Sequence, residues 1–181
     1  MTAEALDRVL LVGFMGSGKT SVGRTLASRL GWRFVDFDAE IVKEAGASIP
    51  ELFETHGEPY FRVLEAKVSE RLLGERRVVL GSGGGWGALS GRLTALPSGT
   101  ESFWLKVSAA TAIRRTSEEP GVRPLLDRDD ALGEASRLLA MRDPIYGQAR
   151  WAVDTEHSSV EDVTARILDT LLREHPEILT P

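Results

Sequence analysis

The stretch Gly13-Phe-Met-Gly-Ser-Gly-Lys-Thr20 matches the phosphate-binding pattern G-x-x-x-x-G-K-[S/T] in full. Glycines at this spacing let the backbone curl around a phosphate so that successive N–H groups face its oxygens. The lysine supplies a positive charge for the β- and γ-phosphates, and the final hydroxyl is suited to ligating Mg²⁺. We therefore predict that this segment, called the phosphate loop below, binds the phosphates of a nucleotide.

The residues on either side of the phosphate loop support this prediction. Arg8–Val12 is an apolar, β-type run, and Thr20–Leu30 has apolar residues at helical spacing and ends before Gly31. A strand, a glycine loop and a helix would place the phosphates at a helix N-terminus, where backbone donors and the helix dipole favour an anion.

Composition limits the range of functions. A chain of 181 residues with 42% hydrophobic residues can bury one core, so we predict a single domain over residues 1–181. The net charge of −5 argues against a general nucleic-acid or membrane binder, and the absence of cysteine excludes disulfides and thiolate metal sites. The first residues lack the basic and apolar parts of a signal peptide, so we expect a cytoplasmic protein. We also expect it to be a monomer.

Strand and helix patterns alternate along the chain. The predicted strands are 8–12, 32–36, 77–81, 102–107 and 151–154, and the predicted helices are 20–30, 38–55 with a break at Gly46, 57–73, 88–96, 109–116, 131–146 and 160–173. Crossovers of this length predict an α/β fold, with a central five-stranded parallel sheet between two layers of helices. Ligands of such sheets bind at the carboxyl ends of the strands.

Two acidic residues, Asp36 and Asp38, close the second predicted strand. Alternate residues of an extended segment point the same way, so both carboxylates are expected to face the crevice beside the phosphate loop. One would serve Mg²⁺ and the other a substrate hydroxyl. The apolar strand that ends in Asp36 is the one that most resembles a magnesium-binding strand, so Asp36 is the expected metal partner besides Thr20.

Further motifs follow in a fixed order, and each has a simpler interpretation when taken alone. They are Phe61-Arg62 with Glu65, Gly83-Gly84-Gly85, Val122-Arg123-Pro124-Leu125-Leu126 and Arg142-Asp-Pro-Ile-Tyr146. A surface ion pair, a flexible turn and solvated arginines would explain them separately. Together with the phosphate loop and Asp38, from about Val9 to Asp154, they closely resemble the shikimate kinase family.

The resemblance implies ATP-dependent phosphorylation of the 3-hydroxyl of shikimate. Arg62 and Arg142 are similar to the arginines that hold the substrate carboxylate, and Asp38 to the residue that binds the ring hydroxyls and acts as base. Gly83–Gly85 lie where the family's backbone touches shikimate, and Glu65 would orient Arg62. Arginine suits the carboxylate because its planar fork donates paired hydrogen bonds.

The resemblance also implies a substrate-binding helical segment at about 38–66 and a mobile lid at about 117–130. Arg123 matches the lid arginine and, with Lys19 and Asp38, completes the expected catalytic set. The expected nucleotide-binding residues are Gly13, Met15, Gly16, Ser17, Gly18, Lys19, Thr20, Ser21, Arg115 and Arg123. The lid is more acidic than this role suggests.

Trp86-Gly87 departs from the family pattern, because small aliphatic residues are expected after the glycine triplet. The pocket wall is therefore expected to differ there. Two other functions stay open: another small-molecule kinase of the same architecture, such as a gluconate or nucleoside-monophosphate kinase, and a non-catalytic nucleotide-binding homologue. Both alternatives are disfavoured by the joint presence of Asp38, Arg62, the glycine triplet and Arg142.

Overall fold

The computed structural model describes residues 5–118 and 130–179. Its strands are β1 (Arg8–Val12), β2 (Arg33–Asp36), β3 (Val78–Gly81), β4 (Thr100–Lys106) and β5 (Trp151–Asp154). Its α-helices are α1 (Lys19–Leu30), α2 (Phe37–Ala45), α3 (Ile49–Leu73), α4 (Ala109–Ser117), α5 (Ala131–Tyr146) and α6 (Val160–Glu174). Short 3₁₀ helices lie at Trp86–Ala88 and Pro176–Leu179.

The five strands form one parallel sheet in the order β2-β3-β1-β4-β5, which confirms the predicted fold class. The strands β1 and β3 are neighbours, but the chain leaves them toward opposite edges of the sheet. After β1 it passes through α1 to β2, and after β3 it crosses to β4. Such a switch in direction opens a crevice at the carboxyl ends of the two strands.

Both faces of the sheet are buried, as expected for parallel strands. Val9 and Leu11 of β1 pack with α1 and α6, and Leu10 and Val12 pack with the layer that contains α2 to α5. The two clusters alternate along the strand because successive side chains point to opposite faces. The crevice is therefore built on a rigid base.

Local sequence signals set the helix ends near the crevice. Ser48 and Glu51 form a capping box at the start of α3, and Gly46, where the sequence predicted a break, ends α2 with a left-handed φ of 67°. Within α3, Gly57 is non-helical with φ of 78° and ψ of 171°, which marks the predicted boundary between two helical pieces. Pro59 is tolerated because it falls in the first turn after this kink.

The helix predicted at 88–96 is wrong. A single 3₁₀ turn ends at Ala88, and hydrogen-bonded turns follow. Gly91 has φ of 82°, which interrupts any helix, although the buried Leu93 follows helical spacing. The physical reason is topological: this segment must run from the carboxyl end of β3 back to the start of β4.

Candidate active site

The phosphate loop connects β1 to the start of α1 and depends on its glycines. Gly13, Gly16 and Gly18 have φ values of 147°, 67° and 95°, which residues with side chains rarely adopt. A Cβ on Gly13 would lie 2.6 Å from the carbonyl oxygen of Leu105, and one on Gly16 would lie 2.7 Å from that of Ala112. The loop is thus packed closely on β4 and α4, in a shape that only glycine permits.

The Lys19 side chain folds back over the phosphate loop. Its Nζ donates to the carbonyl oxygens of Gly13 and Phe14, at 2.8 Å each. Thr20 and Ser21 follow in the first turn of α1, are exposed and border the same cleft. The ammonium charge therefore sits at the mouth of the loop, beside the free N-terminal amides of a helix.

Arg115 on α4 braces the phosphate loop from behind. Its guanidinium donates to the carbonyl oxygen of Gly16 at 3.2 Å, of Thr155 at 2.6 Å and of Glu156 at 3.3 Å. These bonds tie the loop to the end of β5. The expected contact between Arg115 and the nucleotide stays a prediction, and the bracing role is one that the sequence pattern did not indicate.

Asp36 and Asp38 both border the cleft, but not because they alternate along one extended strand, as was predicted. The extended chain ends at Asp36, which caps α2 by accepting a hydrogen bond from the N–H of Ala39 at 3.0 Å. Asp38 lies in the first turn of α2, so the alternation argument is wrong. Both carboxylates still border the cleft, because α2 starts at the carboxyl end of β2.

The glycine triplet (Gly83–Gly85) brings three predicted residues together. A Cβ on its first glycine would overlap the carboxylate of Asp38. On its second glycine a Cβ would lie 3.9 Å from Nη1 of Arg142, and on its third 3.5 Å from Nη1 of Arg62. The absence of side chains thus allows an acid and two arginines to approach the same backbone turn.

Arg62 is held by two glutamates on α3. Its Nη1 donates to Oε2 of Glu65 at 2.8 Å, and its Nη2 donates to Oε1 of Glu58 at 3.1 Å. Glu65 is buried, with 3% of its side chain exposed, whereas Arg62 is partly exposed. The Nε of Arg62 also donates to Oε1 of Glu58, at 3.2 Å. The two glutamates therefore orient Arg62, and the part played by Glu65 is the one that the family resemblance implied.

Arg142 on α5 approaches from the opposite side. Its Nη1 donates to the carbonyl oxygen of Gly84 at 3.4 Å, and its guanidinium lies 5.7 Å from the ring centroid of the buried Phe14. The aromatic face favours a cation over it. This contact links the arginine to the phosphate loop itself.

A cleft of about 310 Å³ joins these groups. Its lining residues are Met15, Gly16, Gly18, Lys19, Thr20, Ser21, Asp36, Asp38, Ser82, Gly84, Gly85 and Arg142. Of the other predicted residues, Gly13, Ser17, Arg62, Gly83 and Arg115 lie next to the lining, as described above or within the same loop. Arg123 and most of the predicted lid fall at 119–129, outside the described residues.

Sequence reasoning missed two polar residues close to the glycine triplet. Ser82 is buried on the floor of the cleft, and no described group hydrogen-bonds to its hydroxyl. Tyr146 is fully buried on α5, and its hydroxyl donates to the carbonyl oxygen of Gly84 at 2.5 Å. Burial raises the pKa of Tyr146, and the nearby Arg142 acts in the opposite direction. The position of Tyr146 in the Arg142–Tyr146 motif was its only signal.

Trp86 lies in the core and does not line the cleft. It is 1% exposed and packs edge-on against Phe37, with ring centroids 5.2 Å apart. The guanidinium of Arg92 lies 5.7 Å from its ring centroid on another side. The departure at this position therefore fills the space beneath the glycine triplet.

The donor set of the cleft fits Mg²⁺ bound together with phosphates. Within residues 5–118 and 130–179, no three His, Cys, Asp or Glu side chains are grouped so as to hold a metal ion. Mg²⁺ usually needs only one or two protein ligands, because substrate phosphates and water complete its coordination. Thr20 and Asp36, which both border the cleft, match that requirement.

Comparison with known proteins places these features in a family. A family model described as shikimate kinase matches residues 15–172. The chain belongs to the shikimate kinase family. A shikimate kinase of Synechococcus sp. (strain RCC307) is 44% identical over 161 residues, covering 89% of this chain and 82% of the relative. One of Nitrobacter winogradskyi is 49% identical over 149 residues, covering 82% and 69%.

Solved structures agree with this family. A shikimate kinase from Acinetobacter baumannii, in complex with shikimate, superposes with a TM-score of 0.85 at 35% identity, covering 94% of this chain and 95% of the other. A gluconokinase from Sinorhizobium meliloti superposes with a TM-score of 0.64 at 21% identity over 96% and 95%. The second likeness shows a shared fold. No helix among the described residues has the length and apolar character that crossing a membrane requires.

Proposed function

We propose that this protein is a shikimate kinase, which transfers the γ-phosphoryl group of ATP to the 3-hydroxyl of shikimate. The observation that carries the proposal is the meeting of Asp38, Arg62 and Arg142 on the glycine triplet, directly beside the phosphate loop. A phosphate site alone fits many kinases. An acid and two arginines around a bare backbone turn fit an acceptor that has both hydroxyls and a carboxylate.

The acceptor side of the cleft supplies each group that such a substrate needs. The forks of Arg62 and Arg142 hold the carboxylate, and Asp38 accepts a hydrogen bond from the hydroxyl that attacks. Among the described residues, no protein acceptor binds the N–H of Gly84 or Gly85. These amides lie within a cleft, so they are available to substrate oxygens.

The phosphate side neutralises charge. Phosphoryl transfer depends on positioning and on stabilising the negative charge that spreads over the transferred group. We propose that Lys19, the amides of the phosphate loop and the lid residue Arg123 serve this purpose. Thr20 and Asp36 would hold Mg²⁺, which bridges phosphate oxygens and offsets their charge when bound.

The organisation around the cleft is part of the same proposal. Residues 1–181 form one domain, in which the helical segment at about 38–66 binds the acceptor and a lid at about 117–130 closes over ATP. We further propose that the protein acts as a cytoplasmic monomer on a small-molecule substrate, with neither a nucleic-acid nor a membrane partner. The net charge of −5 supports the last point.

A coupled assay of ADP release tests the function. Purified protein with ATP and Mg²⁺ should release ADP rapidly with shikimate, and far more slowly with gluconate or with no acceptor. Release driven by gluconate would favour the gluconate kinase alternative. Nucleotide binding with no turnover on either acceptor would indicate a non-catalytic homologue.

A further inference from the structure

The glycine triplet forms a tight turn, and turns of this kind exist in two common forms that differ in the orientation of the central peptide. The N–H of Trp86 donates to the carbonyl oxygen of Gly83 at 3.1 Å, and Gly85 has φ of −81° and ψ of −35°. Rotating the peptide between Gly84 and Gly85 by about half a turn gives the other common turn type, which needs φ near +80° at its third residue. Glycine there allows both forms at low cost.

Tyr146 acts on this peptide directly. Its hydroxyl donates to the carbonyl oxygen of Gly84 at 2.5 Å, and Nη1 of Arg142 donates to the same oxygen at 3.4 Å. Tyr146 is fully buried, so its ring is fixed by packing on α5. The carbonyl group is therefore held toward α5.

The orientation of one carbonyl sets that of the next amide. Across a trans peptide the C=O and N–H groups point in opposite directions. Holding the Gly84 carbonyl toward α5 therefore directs the N–H of Gly85 away from α5. Gly85 lies next to Arg62, and no described protein group accepts a hydrogen bond from the N–H of Gly85.

We propose that Tyr146 is a positioning residue, which locks the Gly84–Gly85 peptide so that the N–H of Gly85 stays presented to an oxygen of the acceptor substrate. In the rotated peptide a carbonyl oxygen would take the place of this donor and repel a carboxylate or an attacking hydroxyl oxygen. The inference rests on the proposed function. In this proposal Tyr146 contacts neither ATP nor shikimate, but it determines which of two orientations the Gly84–Gly85 peptide adopts.

Tyr146→Phe tests the lock while keeping the ring. Because the variant removes one hydrogen bond of ordinary strength from the peptide, we expect KM for shikimate to rise about 5–10-fold. KM for ATP should change less than about twofold, because the phosphate loop keeps its own contacts. Unchanged KM for shikimate, or an equal rise for both substrates, would overturn the proposal, since a general loss of structure would affect both.

Gly85→Ala supplies a second, independent test. Alanine disfavours the left-handed φ that the rotated turn requires, and its Cβ would lie at an ordinary contact distance of 3.5 Å from Nη1 of Arg62. In the Gly85→Ala background, Tyr146→Phe should therefore raise KM for shikimate less than it does in the wild type. An equal rise in both backgrounds would refute the lock.

A third test uses the wild-type protein, so its result does not depend on whether a variant folds. The amide proton resonance of Gly85 should move downfield on saturation with shikimate, because its N–H gains an acceptor, and an unmoved resonance would overturn the proposal. Failure of the proposed function would look different: the wild type itself would show no shikimate-dependent ADP release. An active wild type with an unaltered Tyr146→Phe variant would refute only the lock.

Discussion

The two sides of the cleft are built in opposite ways. The phosphate side comes from one continuous segment, Gly13–Thr20, in which we propose that backbone groups and one lysine do most of the binding. The acceptor side is assembled from Asp38, Arg62, the glycine triplet and Arg142, which lie on α2, α3, the loop after β3 and α5. The first side depends on local geometry, whereas the second depends on how four separate elements pack.

This difference predicts how each side responds to substitution. A change in the phosphate loop should impair transfer to any acceptor. A change on the acceptor side should alter the use of shikimate and leave nucleotide binding intact. The predictions below separate the two sides, starting with the largest expected effect.

Asp38→Asn should lower kcat about 10²–10⁴-fold, because the amide keeps the shape of the carboxylate but cannot accept the hydroxyl proton. ATP affinity should change little. Steady-state kinetics and nucleotide titration check both expectations, and Asp169→Asn on the exposed face of α6 is the matched control. A drop of only a few-fold would reduce Asp38 to a positioning role, which phosphoryl transfer tolerates.

Lys19→Ala should lower kcat about 10²–10³-fold, because it removes a charge that stabilises the transition state. The side chain contacts loop carbonyls rather than the core, so the melting temperature should stay close to that of the wild type. Lys43→Ala, which removes an exposed lysine on α2, serves as control. Near-normal turnover by Lys19→Ala would contradict the role of the phosphate side.

Arg62→Lys and Arg142→Lys should each raise KM for shikimate by roughly 10–100-fold, since a hydrogen bond to a charged group is worth ~1.5–3 kcal/mol. Lysine keeps the charge but loses the planar fork. KM for ATP should hardly change, and Arg29→Lys, on the exposed face of α1, should behave as wild type. A rise in KM for ATP alone would move these arginines to the nucleotide side.

Most of the fold could be predicted from the sequence because local signals agree with the tertiary structure. The bounds of α5 and β5 match the predictions, and the capping box and Gly57 set both ends of a helical piece. The segment at 88–96 could not be predicted from its sequence. Its apolar residues have helical spacing, but Leu93 is buried in a series of turns that connects β3 to β4. The start of α2 directly at Phe37 was missed for a similar reason: the cap of Asp36 resembles the end of a strand.

The site shows the same division. The phosphate loop could be located from its own residues, whereas the acceptor residues were predicted only from their order and their resemblance to a family. Nothing local in the sequence indicates that Arg115 braces Gly16 or that Tyr146 bonds Gly84, because each contact joins residues far apart in the chain. Such bracing residues support the binding groups and carry no motif of their own.

The smallest predicted effect concerns the support behind the phosphate loop. Glu156 holds the start of α4, where Ser108 is the N-cap. The Glu156 carboxylate accepts hydrogen bonds from Oγ1 of Thr111 at 2.5 Å, from the N–H of Ser108 at 2.8 Å and from the Ser108 hydroxyl at 2.7 Å. These bonds lower the pKa of Glu156 to about 2. The backbone carbonyl oxygen of Glu156 also accepts a hydrogen bond from Arg115. The same residue therefore contacts both the start of α4 and the arginine that supports the phosphate loop.

A carboxylate whose pKa is lowered by folding stabilises the folded state above its unfolded pKa of about 4.3, and this contribution is lost as pH falls toward about 2. Because solvent reaches the group, Glu156→Gln should cost only about 1 kcal/mol of unfolding free energy at neutral pH. Urea unfolding from pH 7 to pH 2.5 should show the variant approaching the wild type as pH falls. Glu54→Gln, an exposed glutamate on α3, controls for the lost charge. If the difference between Glu156→Gln and the wild type stayed constant across this range, the carboxylate would not be the group that holds α4 behind the phosphate loop.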